Sequence, residues 1–224
     1  MKRGSEKIYS NAGNEAVLEL VPPNCTDILD IGCGAGDNAK RLIAAGKMVD
    51  GITFSEREAV LVRSVCRKVW VHNLEEGLPL DMIGGYDGII CSHVLEHICW
   101  PDRLLYDINK VLTPGGGLLI VALPNFIFIR QRLKILWGDF QYEPSGPWDE
   151  THFRWYTFTS GRRMLESHGF SVIYAGASGY FPLWVVRKWA PKWARIFDSI
   201  VCRIWPGLFG LQFLYVARPK EIFR

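Results

Sequence analysis

A chain of 224 residues with 26 Lys and Arg against 23 Asp and Glu carries a net charge of only +3. Its basic residues are interleaved with large aliphatics rather than gathered into a solvated stripe, which argues against a nucleic-acid partner. That length can bury one sizeable core, so one domain over 1–224 carrying insertions is expected.

No apolar run reaches the roughly 20 residues needed to cross a bilayer. The basic start Met1-Lys2-Arg3 leads into no apolar stretch, as a secretory leader would require. Six cysteines, at 25, 33, 66, 91, 99 and 202, form no C-x-x-C pair and have no His at zinc spacing. A cytoplasmic protein with buried thiols and no metal is the expectation.

Along the chain, a helix is expected around Asn14 to Val21 and a short apolar strand near 26 to 31. The strand runs into Asp30-Ile31-Gly32-Cys33-Gly34-Ala35-Gly36, and a helix from Asp37 to Gly46 follows with Leu42 and Ile43 facing inward. Glycines at alternate positions allow positive φ and leave no Cβ to obstruct a ligand lying across the turn. Asp30 and Asp37 flank the place where a pyrophosphate would sit, so the turn suits a small cofactor carrying an ammonium group instead. Further strands are expected near 48 to 53, 69 to 72, 87 to 91, 117 to 123, 170 to 175 and 211 to 217. Their alternation with helical segments makes this an α/β chain with a mostly parallel sheet covered on both faces.

From about Thr26 to Ser171 the chain resembles the class I S-adenosylmethionine-dependent methyltransferases, whose seven-stranded sheet is Rossmann-like. Leu29 to Gly36 looks like their first motif. The resemblance implies that Asp30, Gly32, Cys33, Gly34, Gly36 and Asn38 hold the methionine half of the cofactor. Thr53, Phe54 and Ser55 fall where the family ends its second strand, usually with an acid for the ribose hydroxyls. Thr53 stands in that acid's place with Glu56 close by. Asn73, Leu74 and Glu75 align with the stretch that reads adenine, and Ser92 and His93 with the edge of the methionine pocket. Val94-Leu95-Glu96-His97 is similar to the V-L-E-H after the fourth strand, and Val111 to Gly117 to the turn before the fifth. S-adenosyl-L-methionine is thus the implied cofactor and S-adenosyl-L-homocysteine the product, with the seventh strand antiparallel beside the fifth.

Two segments exceed the minimal fold, at about 124–156 and 179–210, and both should cover the substrate side as helical lids. In the second, Trp193, Ile196, Phe197, Ile200, Val201 and Ile204 recur at helical spacing, with Lys192, Arg195, Asp198 and Arg203 opposite. This stripe has three readings: packing against the sheet edge, peripheral membrane contact through 182–204 at the inner face of a membrane, or a homodimer seam.

Methyl transfer needs alignment and, for a hydroxyl acceptor, a base. His97 and His152 are the candidates. The stretch Asp149 to Thr157 resembles a D-x-T-H-x-R-x-x-T pattern of a bacterial branch acting on glycans or lipids, in which Asp149 could orient His152. The expected function is methylation of a small or amphipathic, lipid-linked or glycan-type acceptor, at oxygen. Thr53 and Asn73 in place of family acids keep a non-catalytic binding or regulatory module as the alternative. A nucleic-acid methyltransferase would carry an Asn-Pro-Pro-Tyr type motif where this chain has Ser92-His93-Val94-Leu95.

Overall fold

The computed structural model describes residues 12–182, 188–189 and 191–220. The leaderless start read from residues 1–7 and the 183–187 part of the apolar segment lie outside the described residues.

One sheet organises the chain. Its strands are β1 (Asp27–Ile31), β2 (Met48–Thr53), β3 (Val69–Val71), β4 (Gly88–Ser92), β5 (Leu118–Pro124), β6 (Phe170–Gly179) and β7 (Gly210–Pro219). They lie in the order β3-β2-β1-β4-β5-β7-β6. β1 to β5 pair in parallel, while β7 runs antiparallel to both neighbours, from Leu119↔Ala217 to Pro124↔Gln212 on one side and from Phe170↔Pro219 on the other. The central strands read as continuous apolar runs because helices cover both their faces. Leu119 to Leu123 are all fully buried.

On one face, α1 (Glu15–Leu18), α2 (Asp37–Ala44) and α3 (Glu56–Val62) contribute Val17, Ala39, Leu42 and Val62 to a core with Ile28, Ile90 and Ile120. On the other, α4 (Asp102–Val111) and α6 (Phe158–Ser167) bring Leu104, Leu105, Ile108 and Leu165 against Ile31, Ile89 and Tyr215. Thr157 and Ser160 form a capping box at the start of α6. In α2 the inward pair is Ala39 and Leu42; Ile43, expected inside, is turned to the exposed rim because it lies a further 100° around the helix.

Strand order reverses around β1 and β4, and a crevice opens at the carboxyl ends of such a pair. Both insertions leave from that same edge. The first follows β5 and contains α5 (Ile129–Leu136); the second joins β6 to β7 and contains α7 (Pro191–Ile204) and α8 (Pro206–Phe209). They are tied together by Arg132, which donates to Ile127 O at 2.8 Å and Gly207 O at 3.2 Å, and by Asn125, which donates to Gly207 O at 3.1 Å and Gly210 O at 2.8 Å.

α7 does not pack by its large apolar stripe. Its inner face is Ala194, Asp198, Val201 and Cys202, small enough to lie close to Phe181 and Phe209. Asp198, expected on the polar outer face, is buried and accepts the Phe181 N–H at 2.9 Å. Of the expected stripe only Val201 is buried; Trp193 is 73% exposed, and Ile196, Phe197, Ile200 and Ile204 are exposed too. The six cysteines are unpaired, five of them buried. Among the described residues, no helix is long and apolar enough to cross a membrane.

Candidate active site

The turn after β1 carries Gly32, Gly34 and Gly36 at φ 71°, 53° and 81°. Packing also requires two of these glycines. A Cβ on Gly32 would stand 2.5 Å from Val94 Cγ2, and one on Gly36 would stand 2.6 Å from Val62 Cγ2. Behind the turn, Cys33 is buried so closely on β2 that a Cβ at Gly51 would meet its Sγ at 2.8 Å. Burial pushes the Cys33 thiol far up and keeps it protonated.

At the head of this turn Asp30 is buried to 1% exposure, and its Oδ2 has no hydrogen-bond partner among the described residues. Burial lifts its pKa to about 7 against the opposing bond from the Asn38 side chain. A carboxylate in that position is costly without a partner of opposite charge, and an ammonium group at the turn would satisfy it.

Above the turn lies a polar network that the motifs did not announce. Asn14 donates from its backbone to Asn38 Oδ1 at 2.8 Å, and its side-chain amide donates to Ser92 Oγ at 3.0 Å and Gln212 Oε1 at 2.8 Å. Gln212 donates back to Asn14 Oδ1 at 3.0 Å, and its Oε1 lies 2.8 Å from His93 Nε2. The segment before α1 is thereby drawn across the ends of β1, β4 and β7. Gln212 was detectable in principle as a lone amide inside the apolar run Leu211 to Ala217.

At the end of β2, the carboxylate beside Thr53 belongs to Glu58 rather than Glu56. Thr53 Oγ1 donates to Glu58 Oε2 in a short hydrogen bond, and both residues are buried. Glu56 is exposed and pairs with Arg63. The helical turn from Ser55, which caps α3 by accepting the Glu58 N–H, swings position 58 back over the strand end. Phe54 projects outward, 49% exposed. Asn73 caps the short 3-10 turn Leu74–Glu76 by accepting the Glu75 N–H at 3.3 Å, and Glu75 accepts the Cys99 N–H at 2.7 Å.

A second 3-10 turn, Leu95–His97, stands immediately after β4. The loop of the first insertion folds onto it, with the Phe153 and Arg154 N–H groups donating to Glu96 O at 2.9 and 3.0 Å and Arg154 Nε to Cys99 O at 2.6 Å. This brings His152 against His97, with ring centroids 4.7 Å apart and edge-on. Asp149 Oδ1 accepts from Thr151 N at 2.8 Å and Thr151 Oγ1 at 2.6 Å, and Thr151 Oγ1 lies 3.1 Å from His97 Nδ1. Asp149 therefore reaches His97 through Thr151, a coupling the sequence pattern assigned to His152.

Beside them Glu96 is fully buried, and so is the Tyr156 hydroxyl, which has no partner among the described residues. Burial lowers the His152 pKa, opposed by the Glu96 charge, so its ring is neutral near pH 7. His93, held at φ 57°, pairs with Glu96 Oε1 at 3.3 Å; burial depresses its pKa, but Glu96 outweighs that and raises it.

The sequence pattern of the methyltransferase domain matches residues 7–175, three quarters of the chain. The chain belongs to that family. It is 27% identical over 108 residues to the ubiquinone biosynthesis O-methyltransferase of Chromobacterium violaceum, covering 43% of this chain and 44% of that one. To a probable S-adenosylmethionine-dependent methyltransferase of Mycobacterium tuberculosis it is 33% identical over 118 residues, 51% and 42% of the two chains. The match thus spans less than half the length of either relative. The solved structure of an S-adenosylmethionine-dependent methyltransferase from Mesorhizobium loti superposes with a TM-score of 0.60 over 91% of this chain and 95% of that one, at 18% identity, a likeness of fold. S-adenosylmethionine, the cofactor of the class I methyltransferases, carries an ammonium group, the kind of charge that would satisfy the open oxygen of Asp30.

Proposed function

We propose that the protein transfers a methyl group from S-adenosylmethionine to an oxygen of a small or amphipathic acceptor, of lipid-linked or glycan type, and works as one domain over 1–224 with both insertions on the substrate side. The observation that carries the amphipathic acceptor is the exposed apolar face of α7 at the same edge as the glycine turn. Trp193, Ile196, Phe197, Ile200 and Ile204 face outward there, flanked by exposed Lys192, Arg195 and Arg203. A helix with that distribution lies in the headgroup layer of an anionic membrane, with its apolar side chains in the acyl boundary and its bases on the phosphates. The relative named for oxygen methylation supports oxygen as the attacking atom.

In this reading Asp30 takes the cofactor's ammonium, Thr53 and Glu58 its ribose hydroxyls, and Asn73, Leu74 and Glu75 border the adenine. Ser92 and His93 close the methionine end. The bound cofactor supplies a methyl on a sulfonium sulfur, and the chain's part is to align an acceptor oxygen with it. His152 and His97 face the acceptor and assist loss of its proton, with Asp149 positioning His97 through Thr151. Glu58 supplies a carboxylate beside Thr53, which supports the catalytic reading over a non-catalytic module at one of its two grounds, Asn73 being the other.

The test is transfer of isotope-labelled methyl from S-adenosylmethionine to a panel of hydroxylated amphiphiles, prenylated phenols and lipid-linked sugars, with and without anionic vesicles. Turnover on water-soluble hydroxylated analogues alone, indifferent to vesicles, would remove the membrane; cofactor binding with no turnover on any acceptor would return the non-catalytic module. Sedimentation of the chain as a stable dimer burying α7 would give the stripe to a second copy.

A further inference from the structure

Glu96 is a buried acid in the turn after β4 that the cofactor reading does not use. It is 0% exposed, and apart from His93 Nδ1 at 3.3 Å from Oε1, neither of its carboxylate oxygens has a hydrogen-bond partner among the described residues. A carboxylate in that state is unfavourable unless a cation stands against it.

Two imidazoles face it, and each has its outer nitrogen engaged. His97 Nδ1 lies 3.1 Å from the Thr151 carbonyl oxygen and 3.1 Å from Thr151 Oγ1, whose own hydrogen goes to Asp149. Both oxygens accept, so Nδ1 carries the hydrogen and the lone pair is on Nε2. The Pro147 carbonyl faces the His152 ring, while its Nδ1 is buried with no partner among the described residues. That leaves Nε2 as the donor and a bare lone pair on Nδ1. One ligand atom each of Glu96, His97 and His152 lie within 4.8 Å of one another. Imidazoles whose remote N–H is pinned by a backbone carbonyl are oriented as metal ligands are.

We propose that Glu96, His97 and His152 form a binding site for one divalent cation of the zinc, cobalt or manganese class. The donor set is two neutral imidazole nitrogens and one carboxylate, which suits these ions and leaves coordination positions open. His93 remains the outer partner of Glu96 Oε1, and Asp149 secures His97 through Thr151. The Tyr156 hydroxyl borders the same cluster.

The role deepens the proposed methyl transfer and rests on it. A cation there lowers the pKa of an acceptor hydroxyl placed against it. The proton leaves to solvent, the oxygen lone pair forms the new C–O bond, and the C–S bond breaks with its electrons returning to sulfur. The cation is unchanged by the step. The cysteine spacing could not have revealed the site, because its third ligand arrives only when the first insertion folds onto the turn after β4.

The experiment is titration of chelator-treated, dialysed full-length protein with Co²⁺, followed by visible absorption and calorimetry, then competition with Zn²⁺. The expected result is one Co²⁺ per chain with ligand-field bands and no sulfur-to-cobalt charge transfer. Affinity should fall by at least about 100-fold in Glu96→Gln and in His152→Ala, with S-adenosylmethionine affinity unchanged in both. Absence of stoichiometric binding to the native chain overturns the site, whatever the variants do. Binding that carries sulfur charge transfer, or that survives His152→Ala in a folded variant, overturns it too. Metal-independent methyl transfer would sink the catalytic role and leave the proposed function standing. Tight metal binding with no methyl transfer to any acceptor would sink the proposed function and leave the cation site standing.

Discussion

Ionisation of Asp30 should govern cofactor affinity. Its carboxyl is buried with one oxygen unpartnered, and burial lifts its pKa from 3.8 to about 7. The cofactor's ammonium requires the charged form. If only that fraction binds, apparent affinity follows the ionised share, about one part in eleven at pH 6 and about nine tenths at pH 8. Cofactor affinity should therefore rise about tenfold from pH 6 to pH 8, and binding near pH 6 should release close to one proton. Calorimetry in buffers of different ionisation enthalpy reads both quantities.

The same shift acts on the cofactor-free chain with a definite sign. A carboxyl whose folded pKa is raised favours the folded state only while protonated. Stability is accordingly lost as pH rises from about 4 through about 7, by on the order of 4 kcal/mol, and stays lost above that. Asp30→Asn should raise the thermal midpoint at pH 8 by several degrees, change it little at pH 4, and leave cofactor binding weak and independent of pH. A native affinity flat between pH 6 and 8 with no buffer-dependent heat, or a pH slope that persists in Asp30→Asn, would refute the reasoning.

Three further outcomes are expected. Gly34→Val places a β-branched residue at φ 53° and fills the turn, so a chain with native circular dichroism should lose cofactor binding; unchanged affinity would move the cofactor elsewhere. Glu58→Gln should weaken S-adenosylmethionine binding about tenfold, as expected for losing a charged hydrogen bond, and an equal effect on methionine would show that the ribose is not its target. Trp193→Ser with Phe197→Ser should cut affinity for anionic vesicles on the order of a hundredfold, since Trp193 stands free of the core and Phe197, edge-on to Phe181, keeps its other face exposed. A thermal midpoint that collapses in that double variant would instead assign the stripe to the core.

The local grammar of the chain was enough for most of the fold. Glycines at 32, 34 and 36 after an apolar run permit positive φ, and strands buried on both faces must be apolar throughout, so β1 to β5 and the glycine turn were legible from residue type and order. What depends on approach across the fold was not. Glu58 replaces Glu56 because one helical turn returns position 58, not 56, over the end of β2. α7 shows its large side chains to the outside because its small ones, with Asp198 bonded to the Phe181 N–H, fit the end of β6 more closely. Glu96, His97 and His152 meet because the first insertion's loop is tied to the turn after β4, by backbone hydrogen bonds from Phe153 and Arg154 and by side-chain bonds at Thr151 and Arg154. Periodicity reports which residues share a face of one element. Which face is buried, and which distant carboxylate and imidazoles come within reach of one another, is decided by packing and by the backbone groups that must find partners once water is excluded.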